Sequence, residues 1–148
     1  MKQQNYHCSI TANITAKEAF QRITRVSEWW SENIEGNFEK LNDVFTIHFV
    51  FGDSFVIKIV ELVPDKKIVW LVTDCNLTWI KDKKEWKGTK ISFEISTDNN
   101  STQVNFTHIG LVPGIECYNG CVGGWNQYIK ESLFKLLTEG KGEPDRKK

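Results

Sequence analysis

The strongest constraint on the fold is a change of hydrophobic period about three-quarters of the way along the chain. Between residues 44 and 109 the sequence runs in short segments rich in β-branched and aromatic residues. These are 44–51, 54–63, 67–73, 89–96 and 102–109, separated by Gly52-Asp53, Pro64-Asp65, the Lys/Asp run around Lys83 and Asp98-Asn99-Asn100. Such segments read as strands of an antiparallel meander joined by turns. From Cys117 onward the apolar positions recur at steps of three and four instead: Cys117, Cys121, Trp125, Tyr128, Ile129, Leu133 and Leu136. That spacing predicts one long amphipathic helix over 117–139, stopped by Gly140. A sheet with one apolar face and a single long helix must cover each other, which makes the fold class α+β.

The residues before the meander add detail. Tyr6, Cys8, Ile10, Ala12 and Ile14 alternate with polar residues, so the chain opens on a strand with one buried face. Thr15 followed by Glu18 has the form of a capping box, with Ala19, Phe20, Ile23 and Val26 behind it at helical spacing. A short helix follows, running into Trp29-Trp30, a pair expected either at the rim of a cavity or stapling the short helices. Residues 36–41 are expected to form a further strand before a turn at Asn42-Asp43. One domain is expected over residues 1–142, with 143–148 as a flexible tail.

The chain has 148 residues, and its 19 Lys and Arg are balanced by 19 Asp and Glu. No broad basic field exists for nucleic acid, and no run approaches the ~20 apolar residues of a membrane span. Neither partner is expected. Four cysteines, Cys8, Cys75, Cys117 and Cys121, are too few and too uneven for a secreted disulfide scaffold, so free thiols and a cytoplasmic location are expected. The i,i+4 pair Cys117 and Cys121 matches neither a zinc framework nor a Cys-x-x-Cys redox motif, so no metal and no cofactor is expected.

Chemistry-bearing motifs are sparse. There is no nucleophile elbow, phosphate loop or dinucleotide fingerprint. His108 shares strand parity with Val104 and Phe106, so it is expected to face inward, near Glu116, Cys117 and Cys121 at one end of the helix. It reads first as a core-edge histidine bonded to backbone or to Glu116, and second as a group that orients a ligand. The aromatic set Phe45, Phe49, Phe51, Phe55, Trp70, Trp86, Phe93, Phe106, Trp125 and Tyr128 reads mainly as core. Gly123-Gly124 is expected to let the helix approach the sheet closely.

Taken in order, certain segments resemble a known group. They are Trp29-Trp30; Val60-Glu61-Leu62-Val63-Pro64 leading to Lys67-Ile68-Val69-Trp70; Glu85-Trp86-Lys87-Gly88-Thr89-Lys90-Ile91-Ser92-Phe93; and Phe106-Thr107-His108-Ile109-Gly110-Leu111-Val112-Pro113. The terminal helix adds Glu116-Cys117, Cys121, Gly124-Trp125, Ser132-Leu133 and Gly140-Lys141-Gly142. The set resembles the START and Bet v 1-like (SRPBCC) superfamily, in the branch related to the C-terminal domain of the Hsp90 ATPase activator.

The resemblance implies a helix-grip fold: a curved antiparallel sheet wrapped around a long C-terminal helix, two short helices after the first strand, and a mostly apolar cavity between sheet and helix. The function it implies is non-enzymatic binding of a small hydrophobic or amphipathic molecule. Trp70, Phe93, Phe106, His108, Cys117, Cys121 and Tyr128 are the expected ligand contacts, and no residue is assigned a catalytic role. The alternatives are an interaction module of Hsp90-activator type with a chaperone partner, and a cyclase- or hydrolase-like enzyme using His108 with Glu116 or Tyr128. A homodimer is compatible with each.

Overall fold

The computed structural model describes residues 5–49, 52–98 and 101–144. Seven strands, β1 (Tyr6–Ala12), β2 (Asn33–Gly36), β3 (Val44–His48), β4 (Ser54–Val63), β5 (Lys67–Asn76), β6 (Lys90–Asp98) and β7 (Ser101–Ile109), form one antiparallel sheet. Its order is β1-β7-β6-β5-β4-β3-β2. Every sequential neighbour from β2 to β7 is therefore a hairpin, and β1 closes on β7, with Cys8 opposite Phe106 and Tyr6 opposite His108. The β4–β5 pair carries two irregularities, one at Val56/Ile57 and one at Ile59/Glu61. Bulges of this kind bend a ladder, and here they curl the sheet toward its apolar face.

The chain crosses that face twice. Helix α1 (Ala16–Thr24) starts at Thr15, whose hydroxyl accepts the Glu18 N–H at 3.1 Å, the N-cap expected from the sequence. A single 3₁₀ turn, Val26–Glu28, then delivers Trp29 and Trp30 into the interior. The C-terminal helix runs from Tyr118 to Glu139 in three continuous pieces: α2 (Tyr118–Trp125), a π-helical stretch (Asn126–Leu133) and α3 (Phe134–Glu139).

The π stretch has a cause in the sequence. Cys117, Cys121, Trp125, Ile129 and Leu133 repeat every four residues and are all buried. An α-helix at 3.6 residues per turn overshoots by about 40° at each four-residue step, so this row would drift off the sheet. A π segment has more than four residues per turn and undershoots, which brings Ile129 and Leu133 back into line. The wider turn is visible where the Phe134 N–H donates to the Ile129 carbonyl, five residues back. A uniform α-helix from Cys117 was the expectation, and the strict four-residue repeat is what overrides it.

The helix end is tied down from α1: the Arg22 guanidinium donates to the carbonyls of Leu136 and Leu137, both at 2.8 Å. Gly140 ends the helix with φ of 81°. Glu143 is tied back too, its N–H donating to Ser132 Oγ at 2.7 Å, while the hydroxyl of Ser132 donates to the Trp29 carbonyl. The rest of the expected tail, 145–148, lies outside the described residues, as does Phe51.

The expected strand at 36–41 is not formed. Strand β2 ends where 36–41 would begin, and the chain turns back. Gly36 has φ of 99°, with Val44 so close that a Cβ would strike its carbonyl. The Asp43 carboxylate then accepts the N–H groups of Glu39 and Lys40, stabilising a turn in place of a ladder.

Between β1, β7, β6 and the π stretch the interior is solid. Trp29 stacks on Trp70 at 6.2 Å, Phe93 meets Trp70 edge-on at 4.9 Å, and Phe93 and Phe106 pair across β6 and β7 at 5.2 Å. Burying a large aromatic ring contributes roughly 4–6 kcal/mol of transfer free energy, so this cluster is a principal stabilising feature.

Candidate functional site

Strand β5 outruns its neighbour. It pairs with β6 only over Lys67–Leu71, while residues up to Asn76 continue alongside β4. The chain between β5 and β6, residues 77–88, folds across this open end of the sheet and meets the start of the C-terminal helix. Two acidic side chains pin the meeting point reciprocally. The Glu116 carboxylate accepts the N–H groups of Lys81 and Asp82, both at 3.0 Å, and the Glu85 carboxylate accepts those of Glu116 and Cys117 at 3.1 and 2.8 Å. The two N–H bonds hold the Glu116 carboxyl below its ordinary range.

Under this strap lies an open cavity of about 340 Å³, lined by Trp30, Phe49, Asp53, Phe55, Leu77, Trp79, Trp86, Gly120, Cys121, Gly124, Trp125 and Tyr128. Its inner wall is a closed circuit of rings: Trp30 to Phe55 at 6.1 Å, Phe55 to Trp86 at 4.4 Å, Trp86 to Trp125 at 5.6 Å and Trp125 to Trp30 at 5.1 Å. Each ring braces its neighbours in this wall. Helix-borne glycines supply room on the opposite side. At Gly124 an added Cβ would meet nothing within 4 Å, whereas at Gly120 it would meet the Trp79 ring at 2.6 Å. The close approach expected at Gly123-Gly124 is thus made at Gly120, against the indole of Trp79. Among the described residues no contact at Gly123 or Gly124 requires a glycine.

Among the described residues Asp53 is the one acidic residue in the lining. It is 3% exposed, and its carboxylate accepts the Thr78 N–H and hydroxyl at 2.8 Å each and the Trp79 indole N–H at 2.9 Å. It thereby fixes the half-exposed Trp79 across the mouth.

Of the seven residues singled out in the sequence, Cys121 and Tyr128 line this cavity. Trp70, Phe93 and Phe106 belong to the solid cluster, and Cys117 and His108 lie fully buried behind the wall. The cavity sits toward the β3–β5 side because Trp29, Trp70, Phe93 and Phe106 fill the β6–β7 side.

His108 does point inward, but both ring nitrogens are engaged. Trp125 Nε1–H donates to Nδ1 at 3.0 Å, and Nε2 lies 2.9 Å from Thr89 Oγ1, whose hydroxyl donates in turn to the Trp86 carbonyl at 2.7 Å. Burial pushes its pKa down to about 3, so the ring is neutral at ordinary pH. Neither nitrogen meets the Glu116 carboxylate, which is occupied at the strap. The thiols are equally settled. All four are free and buried, and Cys121 Sγ accepts the Trp86 indole N–H at 3.2 Å. A hydrogen bond with Cys121 and then burial push the Cys117 thiol far up, and burial raises Cys8 and Cys75 as well. Among the described residues no group of three or more His, Cys, Asp or Glu side chains is arranged to hold a metal ion, and no helix is long and apolar enough to cross a membrane.

Sequence reasoning missed Asp53, Leu77, Trp79, Gly120 and Gly124 as lining residues, and it read Phe49, Phe55, Trp86 and Trp125 as core although they too line the cavity. Gly52-Asp53 reads as a turn and the Lys83 region as a charged linker. The usable signal was Leu77, Trp79, Ile80 and Trp86, apolar residues inside a charged run, which a solvated linker has no reason to contain.

A curved antiparallel sheet gripping one long C-terminal helix, with two short helices after the first strand, defines a helix-grip domain of the Bet v 1-like type. The model of the family described as activator of Hsp90 ATPase homolog 1-like protein matches residues 17–138, and the chain belongs to that family. Among solved structures, the Aha1 dimer from Colwellia psychrerythraea is 25% identical at a TM-score of 0.75, over 94% of this chain and 99% of that one. Protein BH1534 from Bacillus halodurans is 14% identical at a TM-score of 0.66, over 93% and 99% of the two chains. DynU16, from the dynemicin biosynthetic locus, is 14% identical at a TM-score of 0.70, with 95% of this chain covering 50% of that one. No curated protein matches the chain.

Proposed function

We propose that this protein is a non-enzymatic, cytoplasmic binder of a small hydrophobic or amphipathic molecule, held under the 77–88 strap between β4 and the C-terminal helix. The observation that carries the reading is the cavity of about 340 Å³, whose wall of Trp30, Phe55, Trp86 and Trp125 is braced in advance. That volume is in the range of small-molecule sites, and a largely apolar lining with a few fixed polar groups is their usual chemistry. Cys121 and Tyr128 are ligand contacts on this reading. His108 and Cys117 act behind them as supports, and Trp70, Phe93 and Phe106 as scaffold. Four reduced thiols, all buried, favour the cytoplasm.

Native mass spectrometry of freshly purified protein is the test. An adduct of a few hundred daltons that disappears on denaturation is expected. An adduct-free protein that also ignores a broad panel of apolar ligands would sink the reading.

A second reading, a docking module for an Hsp90-type chaperone, is favoured by family membership alone. It predicts that substitutions on the exposed surface, and not in the cavity, abolish stimulation of the chaperone's ATPase. The Colwellia relative is a dimer, which supports a homodimer here; light scattering at micromolar concentration would read it out.

A further inference from the structure

Asp53 sets a problem that an apolar ligand does not solve. A carboxylate taken out of water needs a counter-charge or a full set of donors. Asp53 is almost completely buried, yet among the described residues no Lys, Arg or His side chain comes within 4 Å of it. Its donors are three: two on Oδ1 from Thr78 and one on Oδ2 from Trp79. A carboxylate offers about four acceptor positions, so one remains on Oδ2, and Asp53 lines the cavity.

The rest of the lining is chemically one-sided. Seven of the twelve residues are aromatic: Trp30, Phe49, Phe55, Trp79, Trp86, Trp125 and Tyr128. Aromatic rings carry negative potential on their faces and attract cations, most strongly where water is excluded. Among the described residues no lysine, arginine or histidine lines the cavity, so no cationic side chain there favours an anion.

We propose that the cavity selects an organic cation, a tertiary or quaternary ammonium with apolar substituents, whose charge is met by Asp53 and by the surrounding aromatic rings. This rests on the reading of the cavity as a ligand site and narrows the ligand to one charge class. The bound cation supplies the counter-charge that Asp53 lacks. The three existing hydrogen bonds hold the carboxylate in place and fix Trp79 over the mouth, so the site is organised before the ligand enters. Fatty acids and other anionic amphiphiles of the same size are rejected by the same carboxylate.

A matched trio tests charge at constant shape: benzyltrimethylammonium, its uncharged isostere neopentylbenzene, and benzylsulfonate, each titrated into the full-length protein and followed by Trp fluorescence and calorimetry. The expected result is that the cation binds at least ~10-fold more tightly than the isostere, although the isostere is the more apolar of the two, and that the sulfonate does not bind. Asp53→Asn should lower the ratio of cation to isostere several-fold, the remainder being supplied by the rings. Asp65→Asn, which removes a charge from an exposed turn where Asn tolerates the φ of 64°, should leave it unchanged. Equal or tighter binding of neopentylbenzene by the wild-type protein overturns the cation inference and leaves the ligand-site reading standing. Binding of none of the three, with no other apolar ligand bound, overturns both. Undiminished cation preference in Asp53→Asn overturns the part given to Asp53. If that variant does not fold, the wild-type ratio still decides the charge class.

Discussion

The Nδ1 atom of His108 has only one role open to it, because the Trp125 indole N–H can only donate. The proton therefore sits on Nε2 and points at Thr89, and the chain Trp125–His108–Thr89–Trp86 runs in one direction through the core. Protonating His108 would set two donors against each other at Nδ1. The unfolded chain, with an ordinary histidine near 6.5, takes up that proton first, so stability is greatest above that value and falls as pH drops toward 3. While only the unfolded state is protonated, the slope is about 1.4 kcal/mol per pH unit. Denaturant melts between pH 7 and 4.5 should show it, and His108→Gln should flatten it; an unchanged slope in the variant would show that another group is responsible. His108→Ala strands the Trp125 and Thr89 partners, each at about 1–3 kcal/mol, and Trp125→Ala costs about 3–5 kcal/mol. Because the two share a hydrogen bond, a double-mutant cycle by denaturant melts should give a coupling of at least ~0.5 kcal/mol. Strict additivity would mean that the bond contributes nothing.

Among the elements, the C-terminal helix carries most of the design. Its outer turns are α and its middle is π, which keeps the row from Cys117 to Leu133 on the sheet, while Gly120, Gly123 and Gly124 leave its N-terminal half slim. An alanine at Gly123 meets no neighbour, so it should stabilise the protein by about 0.5–1 kcal/mol through helix propensity alone and leave ligand binding intact. A loss of stability in melts of Gly123→Ala would reveal a contact not accounted for.

The strands at 54–63, 67–73, 89–96 and 102–109 were legible because each has its own period and turn residues, and the capping box at Thr15 because it is a local hydrogen bond. The lining of the cavity was not legible in the same way. It depends on where the sheet runs out of partners, a consequence of β5 extending past β6 that no single segment encodes. His108 shows the limit from the other side. Parity told that it faces inward, but its partner Trp125 lies on a different element, and only tertiary packing brings the two rings to 5.9 Å.

For the molecule as a whole, sheet and helix divide the interior into a filled half and a hollow one. The filled half, around Trp29, Trp70, Phe93 and Phe106, secures the fold, so the hollow half does not have to. Three of the four thiols, Cys8, Cys75 and Cys117, are enclosed by this arrangement, while Cys121 lines the open cavity. In the native protein the enclosed three should react with a thiol reagent only slowly, at the rate of opening, and all four should titrate at once in denaturant with no metal released. Rapid native modification of more than one thiol, or stoichiometric zinc in elemental analysis, would contradict that packing. On the proposed reading the hollow half is a ligand site and not a packing defect. Titrating an apolar probe into the wild-type protein and into Gly124→Phe, where the new ring has open space to enter and fills the cavity, separates the two. Micromolar binding with a Trp fluorescence change is expected in the wild type, and loss of binding in a variant that melts at or above the wild-type midpoint. Equal affinity in the two proteins, or no binding by either, would contradict that reading.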